Sequence, residues 1–256
     1  MKRFILAAAV LALIAGCGPN KKKVAGAAQR AQLGATKLNE GDAEGALADL
    51  SEAHKLDPNN AEVTHLLGMA WWAKGRLVGD ESMKLNAEKY VLASFKQKGK
   101  DVPGDWHNNL GALYIDMKRY GDAVVQLELA VKDPEYRTPE RPKNNLSKAF
   151  LEQGDCKKAD QYAGDALRIQ PRFCMALINK AKADECLKNN DGALEANLNA
   201  IKECPEYPEP YVRSGLLYLK MNRKADARIQ WQKAKQADPD GPFGKEADQY
   251  LRSLGK

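Results

Sequence analysis

Between residues 27 and 241, small and apolar residues recur three, four and seven places apart, which is the period of one helix face. The clearest stretch runs from Tyr211 to Pro239. Gly215 and Tyr218 share one face of a predicted helix, and Ala227, Trp231 and Ala234 share one face of a second. Asn222-Arg223 marks a turn between them, and Pro239 ends the unit, because proline cannot continue a helix. Gly215 and Ala227 let two antiparallel backbones approach, while Tyr218 and Trp231 fill the space beside them. A single hairpin of this kind cannot bury its apolar face alone, so it requires stacked neighbours.

The neighbours follow from one marker, an alanine near the start of each second helix: Ala46, Ala87, Ala123, Ala159, Ala193 and Ala227, with last steps of 36, 34 and 34 residues. Seven places on, the residue is small again: Ala53, Ser94, Ala130, Ala166, Ala200 and Ala234. A proline follows at 58, 134, 171, 205 and 239. This pattern resembles the tetratricopeptide repeat (TPR). The resemblance implies an all-α, right-handed superhelix of six helix-turn-helix repeats over 27–60, 61–103, 104–139, 140–173, 174–207 and 208–241. Residues 242–256 read as a closing helix, with Ala247, Tyr250, Leu251 and Leu254 apolar, shielding the last repeat from water.

Turn residues punctuate the repeats at Gly41-Asp42, Gly121-Asp122, Gly154-Asp155, Asp191-Gly192 and Asn222-Arg223. Repeat 2 carries about seven extra residues between Trp71 and Ala87, including Gly75, Gly79 and Asp80. They lengthen the second helix at its start or project as a loop.

The amino-terminal stretch differs. Lys2 and Arg3 precede an apolar run from Phe4 to Ala15, 12 residues, which is too short to cross a bilayer but fits a signal-peptide core. The run ends Leu13-Ile14-Ala15-Gly16-Cys17, which resembles a bacterial lipobox. That resemblance implies removal of residues 1–16 and acylation of Cys17, and Gly18 in place of an aspartate implies the outer membrane rather than the inner. Each buried methylene contributes about 0.8 kcal/mol, so several acyl chains hold firmly. Residues 17–26 then form a tether. Its Lys21-Lys22-Lys23 is either a solvated spacer or a contact to anionic lipid.

Loss of the leader leaves 240 residues, enough for one extended solenoid, and lowers the formal charge from +6 to +4. That charge is mild, and no basic run with interleaved aromatics favours nucleic acid. Four cysteines remain beside Cys17, and export would expose them to oxidising conditions. The helix directions choose among their pairings. Cys156 starts the second helix of repeat 4 and Cys186 ends the first helix of repeat 5, both at one end of the stack. Cys174 and Cys204 lie at the other end. The expected bonds are therefore Cys156–Cys186 and Cys174–Cys204. A zinc site is the rival, but no CxxC pair supports it.

His54, His65 and His107 form no HExxH, and GxxxxGK[ST], GxSxG and GxGxxG are missing from the sequence. No nucleophile or acid–base pair is signalled, so the reading is not an enzyme, with no cofactor, metal or small-molecule substrate. Binding is what stacked first helices offer, along a concave groove. Asn109, Asn145 and Asn179 hold the same site in three successive repeats. They resemble asparagine ladders that grip an extended peptide, and an amide both donates and accepts. Local hydrogen bonding within their own helices is the alternative. In repeat 2 the groove side carries His65, Met69 and Trp72, which suits an apolar partner segment, although one of Trp71 and Trp72 belongs to the core.

A lipobox followed directly by six such repeats resembles the lipoproteins of type IV pilus biogenesis, the PilF/PilW and Tgl group. Asp133-Pro134, Tyr136, Pro139, Asn145-Leu146 and Gly154-Asp155 look like that group's middle segment, whereas Ser147 and Lys148 depart from the small residues expected there. The resemblance implies a pilotin: a lipid-anchored, periplasm-facing outer-membrane protein that binds the secretin PilQ and promotes its insertion and multimerisation. A lipoprotein adaptor for cell-wall enzymes would use the same groove.

Overall fold

The computed structural model describes residues 19–254, and Cys17 and the leader lie outside them. Among the described residues there are 13 helices and no strand, in two compact units divided between Val102 and Pro103. The first unit holds α1 (Pro19–Glu40), α2 (Ala43–Leu56), α3 (Ala61–Val78) and α4 (Glu81–Lys98). The second holds α5 (Gly104–Asp116), α6 (Tyr120–Lys132), α7 (Glu140–Glu152), α8 (Cys156–Ile169), α9 (Cys174–Cys186), α10 (Asn190–Glu203), α11 (Glu209–Lys220), α12 (Lys224–Ala237) and α13 (Pro242–Leu254). Within each unit consecutive helices pack as antiparallel pairs. First helices also pack on one another, α1 on α3, α5 on α7 and α7 on α9.

One kind of close approach explains four of the six pairs. A glycine on the first helix faces a large side chain on the second, four places after the marker alanine. A Cβ built on Gly34 would lie 2.5 Å from Leu50 Cγ, and one on Gly68 would lie 2.7 Å from a Val91 methyl. In the second unit the pairs are Gly111 with Leu127 at 2.5 Å and Gly215 with the Trp231 indole at 2.2 Å. Leu50, Val91, Leu127 and Trp231 are all fully buried. In repeats 4 and 5 the first-helix position holds Ser147 and Ala181, and the matching fillers shrink to Ala163 and Asn197. Ser147 spends its hydroxyl on the Ala159 carbonyl at 2.8 Å. The buried face of α8 is three alanines, Ala159, Ala163 and Ala166.

Each turn inside a repeat reverses through one left-handed residue: Gly41, Gly79, Lys118, Gly154, Lys188 and Asn222. The next backbone N–H closes on a carbonyl one helical turn back, as in Arg119 to Tyr114 at 2.8 Å and Arg223 to Tyr218 at 2.8 Å. This moves two of the expected turns. Gly121-Asp122 and Asp191-Gly192 lie in the first turns of α6 and α10, and lysines take the left-handed positions before them. The extra residues of repeat 2 form no loop. They extend α3 at its end and α4 at its start, to 18 residues each against 13 in α5 and α6. Gly75 permits the longer contact, since a Cβ there would sit 3.0 Å from that of Met83. Within the segment expected as a tether, residues 19–26 are helical, since α1 begins at Pro19. Buried Asp49 fixes α1 to α2, held by Arg30 and Lys37 at 2.6 Å each.

At the carboxyl end, α13 covers the last repeat. Tyr250 stacks on Trp231 with ring centroids 4.9 Å apart, and Ala247 is fully buried beside them.

Candidate protein-binding cleft

The second unit carries a cleft of about 640 Å³ between α7, α9 and α11. Lys148, Leu151 and Glu152 line it from α7, Met175, Asn179, Lys182, Glu185 and Cys186 from α9, and Glu209 and Arg213 from α11. These are first helices of successive repeats, so the cleft lies on the face where the repeat pattern places a groove.

The asparagine ladder crosses from repeat to repeat. The amide of Asn145 donates to Asn108 Oδ1 at 2.9 Å, and that of Asn179 donates to Asn144 Oδ1 at 2.8 Å. Asn179 is 3% exposed. Asn109 is half-buried and has interactions of its own. Each of these two amides thus spends a donor on the preceding repeat rather than on its own helix. They join first helices to one another. The repeated Asn108-Asn109 and Asn144-Asn145 dipeptides were the available sign, since one amide of each pair accepts from the next repeat.

At the fourth rung Arg213 replaces the asparagine, and ion pairs join α9 to α11. Arg213 meets Glu185 at 3.0 Å and Glu209 at 2.9 Å, and Lys182 meets Glu209 at 2.8 Å. Burial opposes ionisation of Glu209, but Lys182 and Arg213 outweigh it and hold the carboxyl below its usual range. Burial likewise opposes the Arg213 charge, and Glu185 and Glu209 outweigh it. Lys148 and Met175 are exposed at the same cleft. The surface thus combines a fixed lattice of charges with a free lysine and apolar side chains, which suits a polypeptide segment.

The remaining candidates lie in the first unit. His65 is not on a groove face. It is 3% exposed, its Nδ1 lies 3.4 Å from Ser94 Oγ, and burial pushes its pKa down to about 3. The cause is position: His65 lies three places before Gly68, on the face pressed against α4. Met69 and Trp72 are half-buried, and the Arg76 guanidinium stands 5.7 Å from the Trp72 ring. Trp71 is the core residue, packed against Ala46, Leu50, Leu67 and Ala70.

The cysteine pairs expected from the helix directions are both bridged. Cys156 and Cys186 have Cα atoms 5.7 Å apart, and Cys174 and Cys204 have theirs 6.1 Å apart. The first bond joins repeats 4 and 5, and the second lies within repeat 5. Sequence reasoning missed that Cys186 borders the cleft. Among the described residues no group of three His, Cys, Asp or Glu side chains is placed to hold a metal, and no helix is long and apolar enough to cross a membrane.

No family profile and no curated protein sequence matches the chain. Solved structures do. PilW, a widely conserved type IV pilus biogenesis factor, superposes with a TM-score of 0.74 at 16% identity, covering 86% of this chain and 97% of its own. PilF of Pseudomonas aeruginosa gives 0.71 at 17% identity, covering 90% and 99%. A tetratricopeptide repeat protein from Parabacteroides merdae gives 0.65 at 15% identity, covering 90% and 84%. Helix pairs stacked through small-residue contacts, and these neighbours, give the chain the tetratricopeptide-repeat fold.

Proposed function

We propose that this protein is an assembly factor for type IV pili, anchored in the outer membrane by acyl chains on Cys17, that binds the secretin PilQ and promotes its insertion and multimerisation. The observation that carries the reading is the end-to-end correspondence with PilW and PilF, which extends over 97% and 99% of those chains. The lipobox and the cleft support it from independent directions. A binding surface at the membrane raises the local concentration of a partner there. The cleft between α7, α9 and α11 is the docking surface, with Lys148, Leu151 and Met175 facing the partner.

Deletion of the gene tests the reading directly. Secretin multimers resistant to detergent are expected to vanish from the outer membrane and to return on complementation. Cys17→Ala is expected to leave the protein folded but fail to restore them. Intact multimers in the deletion strain would overturn the assignment, and purified PilQ that ignores Lys148→Glu would move the docking surface elsewhere.

A further inference from the structure

The two disulfides are unlike in their surroundings. Cys186 is exposed and Cys156 half-buried, whereas Cys204 is 4% exposed and the end of α10 encloses it. Thiol–disulfide exchange needs a thiolate to reach one sulfur in line with the bond and to expel the other. At Cys186 the approach is open. The sulfur expelled is then that of Cys156, the first residue of α8, where the positive end of the helix dipole stabilises a thiolate. In the other pair, attack on Cys204 is blocked by burial. Attack on Cys174 would expel a buried thiolate at the carboxyl end of α10, where the helix dipole opposes it.

We infer that Cys156–Cys186 is a redox-sensitive clasp at the mouth of the cleft, opened by an exposed dithiol while Cys174–Cys204 stays closed. The dithiol attacks Cys186 Sγ, the bond to Cys156 breaks, and a mixed disulfide forms. The second thiol of the reductant then displaces Cys186, leaving two protein thiols and an oxidised reductant. Release frees the last turn of α9 from α8. That turn carries Glu185, which holds Arg213 across the cleft. The clasped state keeps the charge lattice in register, and the open state loosens it. The consequence for partner binding rests on the function proposed above, but the order of reduction does not.

The test uses the oxidised chain with limiting dithiothreitol, alkylation of freed thiols and peptide mass mapping. Cys156 and Cys186 are expected to be labelled at least about tenfold faster than Cys174 and Cys204. Deuterium uptake across Lys182 to Cys186 is expected to rise as they open, and so it is in the paired variant Cys156→Ser with Cys186→Ser. Equal rates, the reverse order, or unchanged uptake would overturn the clasp, and the wild-type order decides even where the variant fails to fold. Purified PilQ is expected to bind the oxidised chain more tightly than the selectively opened one. Failure to bind either state counts against the binding function alone.

Discussion

At the scale of single residues, the contact between first and second helices is a trade of volume. Where the first helix gives up its Cβ, the second supplies Leu50, Val91, Leu127 or Trp231. Where it keeps one, the filler is small or polar. Asn197 is the costly case, fully buried with neither amide atom hydrogen-bonded. An unsatisfied buried polar group costs about 1–3 kcal/mol, and leucine has nearly the same shape as asparagine. Asn197→Leu is therefore expected to stabilise the protein by about that much, read as a higher urea midpoint at unchanged slope. His65 makes a second residue-scale case. Its folded pKa is about 3 and its unfolded value 6.5, so below pH 6.5 the unfolded chain binds a proton that the folded chain refuses. Stability is full above 6.5 and falls toward pH 3, by up to about 1.4 kcal/mol per pH unit for this group. In His65→Leu that part of the slope should vanish, since Ser94 already donates to the Val91 carbonyl. An identical acid limb in the two proteins would show that burial does not set this titration.

At the scale of the element, the legible and illegible parts of the sequence separate cleanly. The marker alanines fixed which helices pair, because a close backbone approach leaves little choice of residue. The turns were legible where glycine or asparagine occupies the left-handed position, at Gly41, Gly154 and Asn222, and were misplaced where lysine does. Nothing about Lys118 or Lys188 announces a positive φ. Each lysine bears backbone strain of about 1 kcal/mol that glycine would not. Lys118→Gly is expected to raise stability by a few tenths of a kcal/mol, after the added freedom of the unfolded chain is counted. Gly154→Ala, the opposite exchange at φ 78°, is expected to lower it by about 1 kcal/mol. Thermal midpoints of the two variants should move in opposite directions, and movement in the same direction would remove turn strain from the account. The asparagine ladder was half legible. Position alone placed Asn145 and Asn179 at one site on successive first helices, but which groups they met depended on Asn108 and Asn144 in the preceding repeat.

At the scale of the whole molecule, a repeat stack holds together as a sum of neighbour contacts, so its weakest layer is a matter of composition. In the second unit that layer is repeats 4 and 5. The packed face of α8 is all alanine, and α10 centres on the unpaired Asn197. On either side, Leu127 and Trp231 fill the same position with far more apolar surface. The four paired cysteines are confined to these two repeats. Each bond closes a sequence separation of 30 residues and contributes roughly 3 kcal/mol by restricting the unfolded chain. Covalent restraint thus stands where packing is thin. The order of local opening should invert with oxidation state. In the oxidised protein, amides of α8 to α10 are expected to be among the last of the second unit to exchange with deuterium, behind those of α5 and α13. With both bonds reduced and the thiols blocked, the same amides should exchange before those of α6 and α12. A fully reduced chain in which α8 to α10 remain the slowest would mean that alanine packing suffices, and that the cysteines serve the cleft rather than the stack.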